Sequence, residues 1–295
     1  MTRYFYKKNL FFYDRKEKCL KKEKIYGGLS LRILHSFFLR KIVLPLVIKP
    51  FSSKVYGWYK KQNFTQRSVQ KFIKKYAIKI EEYKKGTHKK YPYYKNFAEF
   101  FIREFKEGKR QFKGTFSAFA EARYLFYPFL TQKELYPVKS YEIDPLKILP
   151  EHISEYFTQG SFIIARLAPV DYHRFHFPCD GKVLDVVKQS GLLYSVNTLA
   201  LEKNPKSFML NQRTTYLLET QFGKIAYTAV GAICVGEIEF FKKEGDTFKQ
   251  GEQAGLFQFG GSTVLVYTEH PLPFALDLLQ QQHEIFITLG QSLLL

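Results

Sequence analysis

The residues able to do chemistry in this 295-residue chain gather in two short segments. One is Phe259-Gly260-Gly261-Ser262-Thr263, a serine behind two glycines. The other is Arg166-Leu167-Ala168-Pro169-Val170-Asp171-Tyr172-His173-Arg174-Phe175-His176-Phe177-Pro178, which holds two histidines three residues apart. A histidine titrating near neutrality can take or return a proton. A serine hydroxyl becomes a nucleophile once a base accepts its proton. The same residues have plainer uses, because a Gly–Ser pair also ends loops and histidines at i, i+3 also serve as metal ligands or core residues. No HExxH pattern and no cysteine pair accompanies them, so a metal is the weakest of these options. Cys19, Cys179 and Cys234 form no CxxC spacing. An odd count without a framework fits free thiols in a reducing compartment.

The elements that must position these residues differ between the two ends of the chain. Residues 1–115 carry 31 Lys+Arg against 8 Asp+Glu, and residues 116–295 carry 15 against 19. A part this basic fits an anionic surface, lipid headgroups or nucleic acid. The first 26 residues are basic and aromatic, with no apolar core of a signal peptide. Between residues 29 and 51 the longest apolar run is Ile42 to Ile48, interrupted by Pro45. A span needs about 20 apolar residues, so this segment is expected to lie in the interface plane instead. A helix is expected over 63–83, with Val69, Phe72, Ile73, Tyr76, Ala77, Ile80 and Tyr83 on one face, Lys71, Lys74, Lys75 and Lys79 on the other, and Asn63 as cap. Core packing and lipid contact both fit that stripe. A second helix is expected over 97–106, with Asn96 as cap and Glu99 completing a capping box. Lys84–Lys90 reads as an exposed basic linker.

Beyond residue 115 short runs rich in Val, Ile, Leu and Tyr appear at 182–187, 192–199, 224–230, 232–240 and 263–268, which read as strands. Gly245, Gly251 and Gly255 punctuate a hairpin-like stretch leading into the Gly-Gly-Ser. Asp180-Gly181 reads as a turn. The expected class is α+β, a basic helical N-terminal part followed by a β-rich catalytic core. The expected divisions are a basic leader over 1–26, a membrane-associating helical region over 27–115 and the β-rich core over 116–295.

Taken together, the two segments resemble the phosphatidylserine decarboxylase family. Arg166-Leu167-Ala168-Pro169 followed by Asp-Tyr-His-Arg-x-His-x-Pro is similar to that family's signature, and Phe257–Thr263 to its cleavage segment. Phe97–Lys106, with a paired Phe followed by Arg, looks like its opening helix. Asn211-Gln212-Arg213 is similar to its Asn-Glu-Arg element, and Val230–Gly236 to its Val-Gly-Ala-x-x-Val-Gly. These landmarks occur in the family's order over roughly residues 97 to 290, which makes 116–295 the expected decarboxylase core.

The resemblance implies a proenzyme that cuts itself between Gly261 and Ser262. The Ser262 hydroxyl would attack the Gly261 carbonyl, giving an ester by N-to-O acyl shift; glycine leaves that carbonyl open. A base takes the hydroxyl proton and donors hold the oxyanion. Elimination leaves dehydroalanine at 262, and hydrolysis with loss of ammonia gives a pyruvoyl group, the covalent pyruvate cofactor. The products are residues 1–261 and a 34-residue partner, 262–295. Carried onto this chain, the family's logic makes His176 the base for self-cleavage and His173 the group serving decarboxylation. Ser262, as pyruvoyl, would form the Schiff base with the serine headgroup amine and take up the electrons freed with carbon dioxide. The family's Ser-Pro-x-Asp-Gly carboxylate corresponds to Glu121 in Ala118-Phe119-Ala120-Glu121-Ala122, a candidate partner of His176.

The implied activity is conversion of phosphatidylserine to phosphatidylethanolamine by a peripheral protein on the cytoplasmic side of an anionic phospholipid membrane. No metal and no nucleic-acid partner is expected. The alternative, motivated by Glu121 and Ala122, is a non-cleaving relative acting as a lipid-binding or regulatory protein. Basic residues among aromatics also fit single-stranded nucleic acid, but no RRM-like run or zinc knuckle accompanies them.

Overall fold

Runs of β-branched and aromatic residues that are apolar at nearly every position require cover on both faces of a sheet, and the centre of this fold is such a sheet. The computed structural model describes residues 11–23, 44–130, 136–138, 141–195, 207–233, 237–260 and 262–295. Its strands are β1 (Phe11–Asp14), β2 (Cys19–Lys22), β3 (Ala122–Tyr127), β4 (Tyr136–Val138), β5 (Tyr141–Ile143), β6 (Phe162–Leu167), β7 (Arg174–His176) and β8 (Gly181–Gln189). They continue with β9 (Arg213–Thr220), β10 (Gly223–Val230), β11 (Ile238–Phe240), β12 (Thr247–Phe248), β13 (Gln253–Phe257), β14 (Ser262–Thr268) and β15 (Glu284–Ile287). Ten of them form one sheet in the order β12-β8-β9-β10-β14-β6-β3-β15-β1-β2. All pairings are antiparallel except β1 with β15. Strands β6 and β14 lie side by side at the centre and are buried along their whole lengths.

A second sheet, β11-β13-β7, covers one face of the first. It is held there by aromatic contacts: Phe177 lies 5.9 Å from Tyr216, and Phe175 lies 5.9 Å from Tyr227. Strand β7 carries His176, and the turn that precedes it carries His173, so this overlay brings both histidines over the large sheet. The class is α+β with a β-rich core. The expected strands at 182–187, 224–230 and 263–268 correspond to β8, β10 and β14. Of 232–240 only 238–240 pairs, as β11. Of 192–199 Leu192 makes a single bridge to Asn211. Residues 196–199 and Cys234, Val235 and Gly236 lie outside the described residues.

The helical layer contains α1 (Leu44–Val47), α2 (Pro50–Lys60), α3 (Gln66–Tyr76) and α4 (Phe97–Phe101). The helix expected over 63–83 is shorter. Asn63–Thr65 is a 3-10 turn, and Ala77 adopts φ +52°, a left-handed conformation that ends α3. Val69, Phe72 and Ile73 are buried, with Phe72 5.2 Å from Phe97 and 5.8 Å from Phe100. The stripe of α3 is therefore core. Helix α4 starts as expected, with the Asn96 side chain accepting from Glu99 N at 2.9 Å, but it ends at Phe101. The Glu99 carboxylate reaches Lys95 N, one residue before the cap. Residues 11–22, within the expected leader, form the β1–β2 hairpin that extends the sheet beyond β15. Most of the 29–51 segment lies outside the described residues.

Candidate active site

Ser262 is the first residue of β14, fully buried and paired with Leu167 at the end of β6. Side chains alternate along a strand, so Thr263 faces the opposite side, across from Arg166. Gly260 adopts φ +147°, a conformation that residues with a Cβ avoid. Glycine there lets the chain turn into β14 with the serine at its head. Gly261, the other side of the expected cleavage bond, lies outside the described residues.

The hydroxyl of Ser262 faces Nδ1 of His173 at 3.4 Å. The other ring nitrogen, Nε2, lies 3.1 Å from the Ala168 carbonyl oxygen. A carbonyl only accepts, so His173 carries its proton on Nε2 and presents a bare Nδ1 to the serine. The ring stacks on Phe101, with centroids 3.9 Å apart. Burial holds its pKa well below the ordinary histidine value, and the nearby Arg103 charge adds to that effect. His173 is therefore neutral at pH 7 and able to accept a proton.

The turn carrying His173 is fixed by its own polar groups. Asp171 N donates to Ala168 O at 2.8 Å, and Ala168 N donates to the Asp171 carboxylate at 2.6 Å. Arg123 grips the same carboxylate at 2.5 Å, and Arg103 donates to the Val170 and Asp171 carbonyls at 3.0 and 2.9 Å. Arg123 also pairs with Glu23, and Arg166 pairs with Glu23 and Glu284, so the turn is tied into a buried charged cluster. Sequence reasoning gave Asp171, Ala168, Arg103 and Phe101 no role at the site. Their places in the signature and in the Phe-Phe-x-Arg run were the available signal.

His176 is built the other way round. Its Nδ1 lies 2.8 Å from the Gly251 carbonyl, so that nitrogen carries the proton, and Nε2 faces the Tyr172 hydroxyl at 3.4 Å. Burial pushes its pKa down to about 4. Its hydrogen bonds run to Gly251 and Tyr172, and not to Ser262. Glu121 is gripped by Arg110 through two contacts, at 2.7 and 3.0 Å. Among the described residues neither histidine makes a hydrogen bond to a carboxylate. The structure thus brings Ser262 and His173 together and leaves His176 and Glu121 with other partners.

The remaining landmarks converge on the same strands. Val230 is the cross-strand neighbour of Thr263. Asn211, fully buried, donates to the Gly231 carbonyl at 2.8 Å, and Gly231 N donates back to Gln212 O at 2.9 Å. No cluster of three metal-ligating side chains occurs among the described residues.

A buried serine with a neutral, tautomer-fixed histidine on its hydroxyl is the arrangement of an enzyme rather than of a binding surface. Comparison with known proteins makes the assignment specific. Residues 97–294 match the family model described as phosphatidylserine decarboxylase. The phosphatidylserine decarboxylase proenzyme of Chlamydia pneumoniae is 35% identical over 277 residues, covering 91% of each chain. That of Clostridium novyi is 36% identical over 264 residues, 87% of this chain and 88% of its own. That of Fusobacterium nucleatum is 32% identical over 291 residues, 95% and 96% of the two chains. This chain belongs to the phosphatidylserine decarboxylase family.

Proposed function

We propose that this chain decarboxylates phosphatidylserine to phosphatidylethanolamine at a membrane surface, after cutting itself between Gly261 and Ser262 and converting Ser262 into a pyruvoyl group. The observation that carries this reading is the bare Nδ1 of His173 on the Ser262 hydroxyl, in a site closed to water. In self-cleavage the Oγ–carbon bond to Gly261 forms as its bond to the Ser262 nitrogen breaks, and the hydroxyl proton ends on the freed amine. The pyruvoyl group, once made, supplies the electron sink that loss of carbon dioxide requires. Around it the chain would exclude water and keep His173 Nδ1 beside position 262, free to take up and return a proton.

That contact supports His173 as the proton carrier in decarboxylation. It also makes His173 the nearest candidate to receive the Ser262 hydroxyl proton, the part expected of His176. The Glu121 carboxylate, held by Arg110, fits a structural tie better than a triad acid. Intact-mass spectrometry separates these roles. Wild type should split into residues 1–261 and a 34-residue fragment blocked by pyruvoyl, and Ser262→Ala should stay whole. If His173→Ala cleaves and His176→Ala does not, the division of labour follows the family resemblance. The reverse result gives both steps to His173. A wild-type chain that stays whole for days with phospholipid present favours the non-cleaving, lipid-binding reading, which the carboxylate-free histidines would then explain.

The membrane part of the proposal rests on α2. Ser53 and Lys60 of this helix are buried, while Phe51, Val55 and Trp58 face solvent. Spacings of four and three place Phe51, Val55 and Trp58 on one stripe. Leu46 and Phe64, at either end, are exposed as well. Lys49, Lys54 and Lys61 flank them. An apolar stripe bordered by lysines suits the boundary between headgroups and acyl chains. The basic balance of residues 1–115 suits the anionic cytoplasmic leaflet, and we place the protein there as a peripheral one. No helix among the described residues is long and apolar enough to cross a membrane.

A further inference from the structure

Beside α2 the helical layer opens into a cleft of about 390 Å³, bounded by Gly57, Lys61, Lys95, Asn96, Ile102 and Phe259. Two of these residues are cations, Lys61 and Lys95. Lys61 and Lys95 are exposed, and among the described residues neither ammonium makes an ion pair, hydrogen bond or ring contact. The nearest acid on the cleft wall is Glu99. Its carboxylate is already taken by the backbone N–H groups of Thr87 and Lys95, at 2.7 and 2.6 Å. The side chain of Asn96 is committed too, to Glu99 N and the Lys61 carbonyl. The cleft is thus a concave surface with two lysine ammoniums against one carboxylate that is already hydrogen-bonded, a net positive balance that suits a phosphate.

Its position selects which phosphate. Gly57 and Lys61 place the cleft at the C-terminal end of α2, the helix whose exposed Phe51, Val55 and Trp58 were assigned above to the bilayer. The opposite wall is Phe259, whose ring lies 4.8 Å from Phe101, and Phe101 stacks on His173. Two aromatic rings in series, Phe259 and Phe101, therefore stand between the cleft and the Ser262–His173 pair. After scission at 261, Phe259, the ring that lines the cleft, stands two residues from a free carboxyl terminus, while Phe101 stays anchored in α4.

We propose that this cleft seats the phosphodiester of the phosphatidylserine headgroup, with Lys61 and Lys95 as its ligands, presenting the serine moiety toward position 262. The assignment rests on the function proposed above and names the headgroup site within it. Gly57 makes it testable without touching the core. A Cβ there would meet nothing within 4 Å, so a larger side chain starts out in the open space of the cleft.

The test uses dihexanoyl phosphatidylserine below its micellar concentration, so that membrane docking plays no part. In matured enzyme carrying Lys61→Gln and Lys95→Gln together, KM should rise about tenfold or more with kcat within about twofold, the mark of lost binding. Lys71→Gln with Lys74→Gln removes the same charge from the exposed face of α3 and should leave KM unchanged. Gly57→Phe should raise KM similarly while intact mass still shows the 34-residue fragment. Glycerophosphoserine should compete at far lower concentration than inorganic phosphate; equal competition would mean a bare phosphate site and overturn the headgroup assignment. An unchanged KM in the Lys61/Lys95 variant would overturn the cleft outright. If wild type turns over no phosphatidylserine, the functional reading fails. Calorimetry of glycerophosphoserine with the Ser262→Ala chain then judges the cleft alone: binding lost with Lys61→Gln and Lys95→Gln upholds it, and no binding rejects it.

Discussion

Two regions of this molecule break the ordinary sorting of polar and apolar residues, and they break it in opposite directions. At the head of β14 a serine and two histidines are buried, with Ser262 and His173 fully removed from solvent. On the outer face of α2, Phe51 and Trp58 are 73% and 65% exposed while a lysine of the same helix is tucked beneath them. That lysine, Lys60, has its ammonium between 4.6 and 5.6 Å from the ring centroids of Tyr56, Tyr59, Phe97 and Phe259. Buried polar groups and exposed apolar groups are the informative exceptions in a folded chain. Here the first exception is a chemical centre and the second is the surface proposed above to meet a bilayer. Helix α3, which packs on α4, obeys the rule, with Val69, Phe72 and Ile73 inside and lysines outside. Apolar residues on two consecutive helices thus have different uses, and what packs against them tells which.

The largest expected effect comes from the helix that obeys the rule. Phe72 is buried among Tyr76, Phe97 and Phe100. Phe72→Ala should cost about 3–5 kcal/mol of unfolding free energy, as usual for a large core aromatic. Denaturant unfolding of the Ser262→Ala chain checks this without interference from cleavage. A loss under about 1 kcal/mol would erase the distinction between α3 and α2.

The buried histidines should show themselves next, through pH. Their pKa values lie below the ordinary 6.5 in the folded chain, so the unfolded chain binds protons that the folded one refuses. Stability contributed this way is complete above about pH 6.5 and falls with acid, by at most about 1.4 kcal/mol per pH unit for each histidine. For His176 the fall should level off near pH 4. Replacing both with glutamine should flatten this slope in the Ser262→Ala chain, leaving the part due to carboxylates. Self-cleavage in wild type should correspondingly proceed without an acid limb at about pH 6.5, because the accepting histidine stays neutral below it. A cleavage rate that halves at about pH 6.5 would mean that the histidine in charge is solvated.

The site was more legible in the sequence than the surface that serves it. The serine and both histidines could be read from motif, and the strand that follows the serine from its apolar run, but β7, the short strand carrying His176, was not among the expected strands. The pairing within the site could not be read either. His173 and His176 stand three residues apart on a turn and a short strand, and which of them meets Ser262 depends on the Ala168–Asp171 turn. That turn's geometry is set by Arg103 and Arg123, 65 and 45 residues before Ala168 in the chain. Glu121 likewise looked like a triad acid from its place in line, but Arg110 lies near enough to claim it. In the helical layer the sequence drew attention to 63–83, where the apolar period is strongest. Helix α2 escaped notice because its inward positions, Ser53 and Lys60, are polar, so its pattern reads as irregular until the packing is known.

The smallest change in stability should accompany the clearest change in behaviour, and α2 is where to look for it. Phe51→Ser with Trp58→Ser removes two large side chains from a face that touches solvent, so unfolding free energy should move by no more than about 0.5 kcal/mol. If the stripe enters a bilayer, each side chain withdrawn forfeits roughly 1.5–3 kcal/mol of transfer free energy. Partitioning onto phosphatidylserine-containing vesicles should then fall at least about tenfold, measured by sedimentation. Salt should weaken what remains, since the lysines around the stripe still see an anionic surface. Self-cleavage should be untouched, because the groups proposed to carry it, Ser262 and His173, are buried at the head of β14 and on the turn before β7, away from this face. A stability loss of about 2 kcal/mol or more would mean that the stripe packs against protein, putting α2 in the same category as α3. Unaltered stability with unaltered partitioning would leave α2 exposed for no lipid purpose, and the membrane reading would have to move to another part of the basic region.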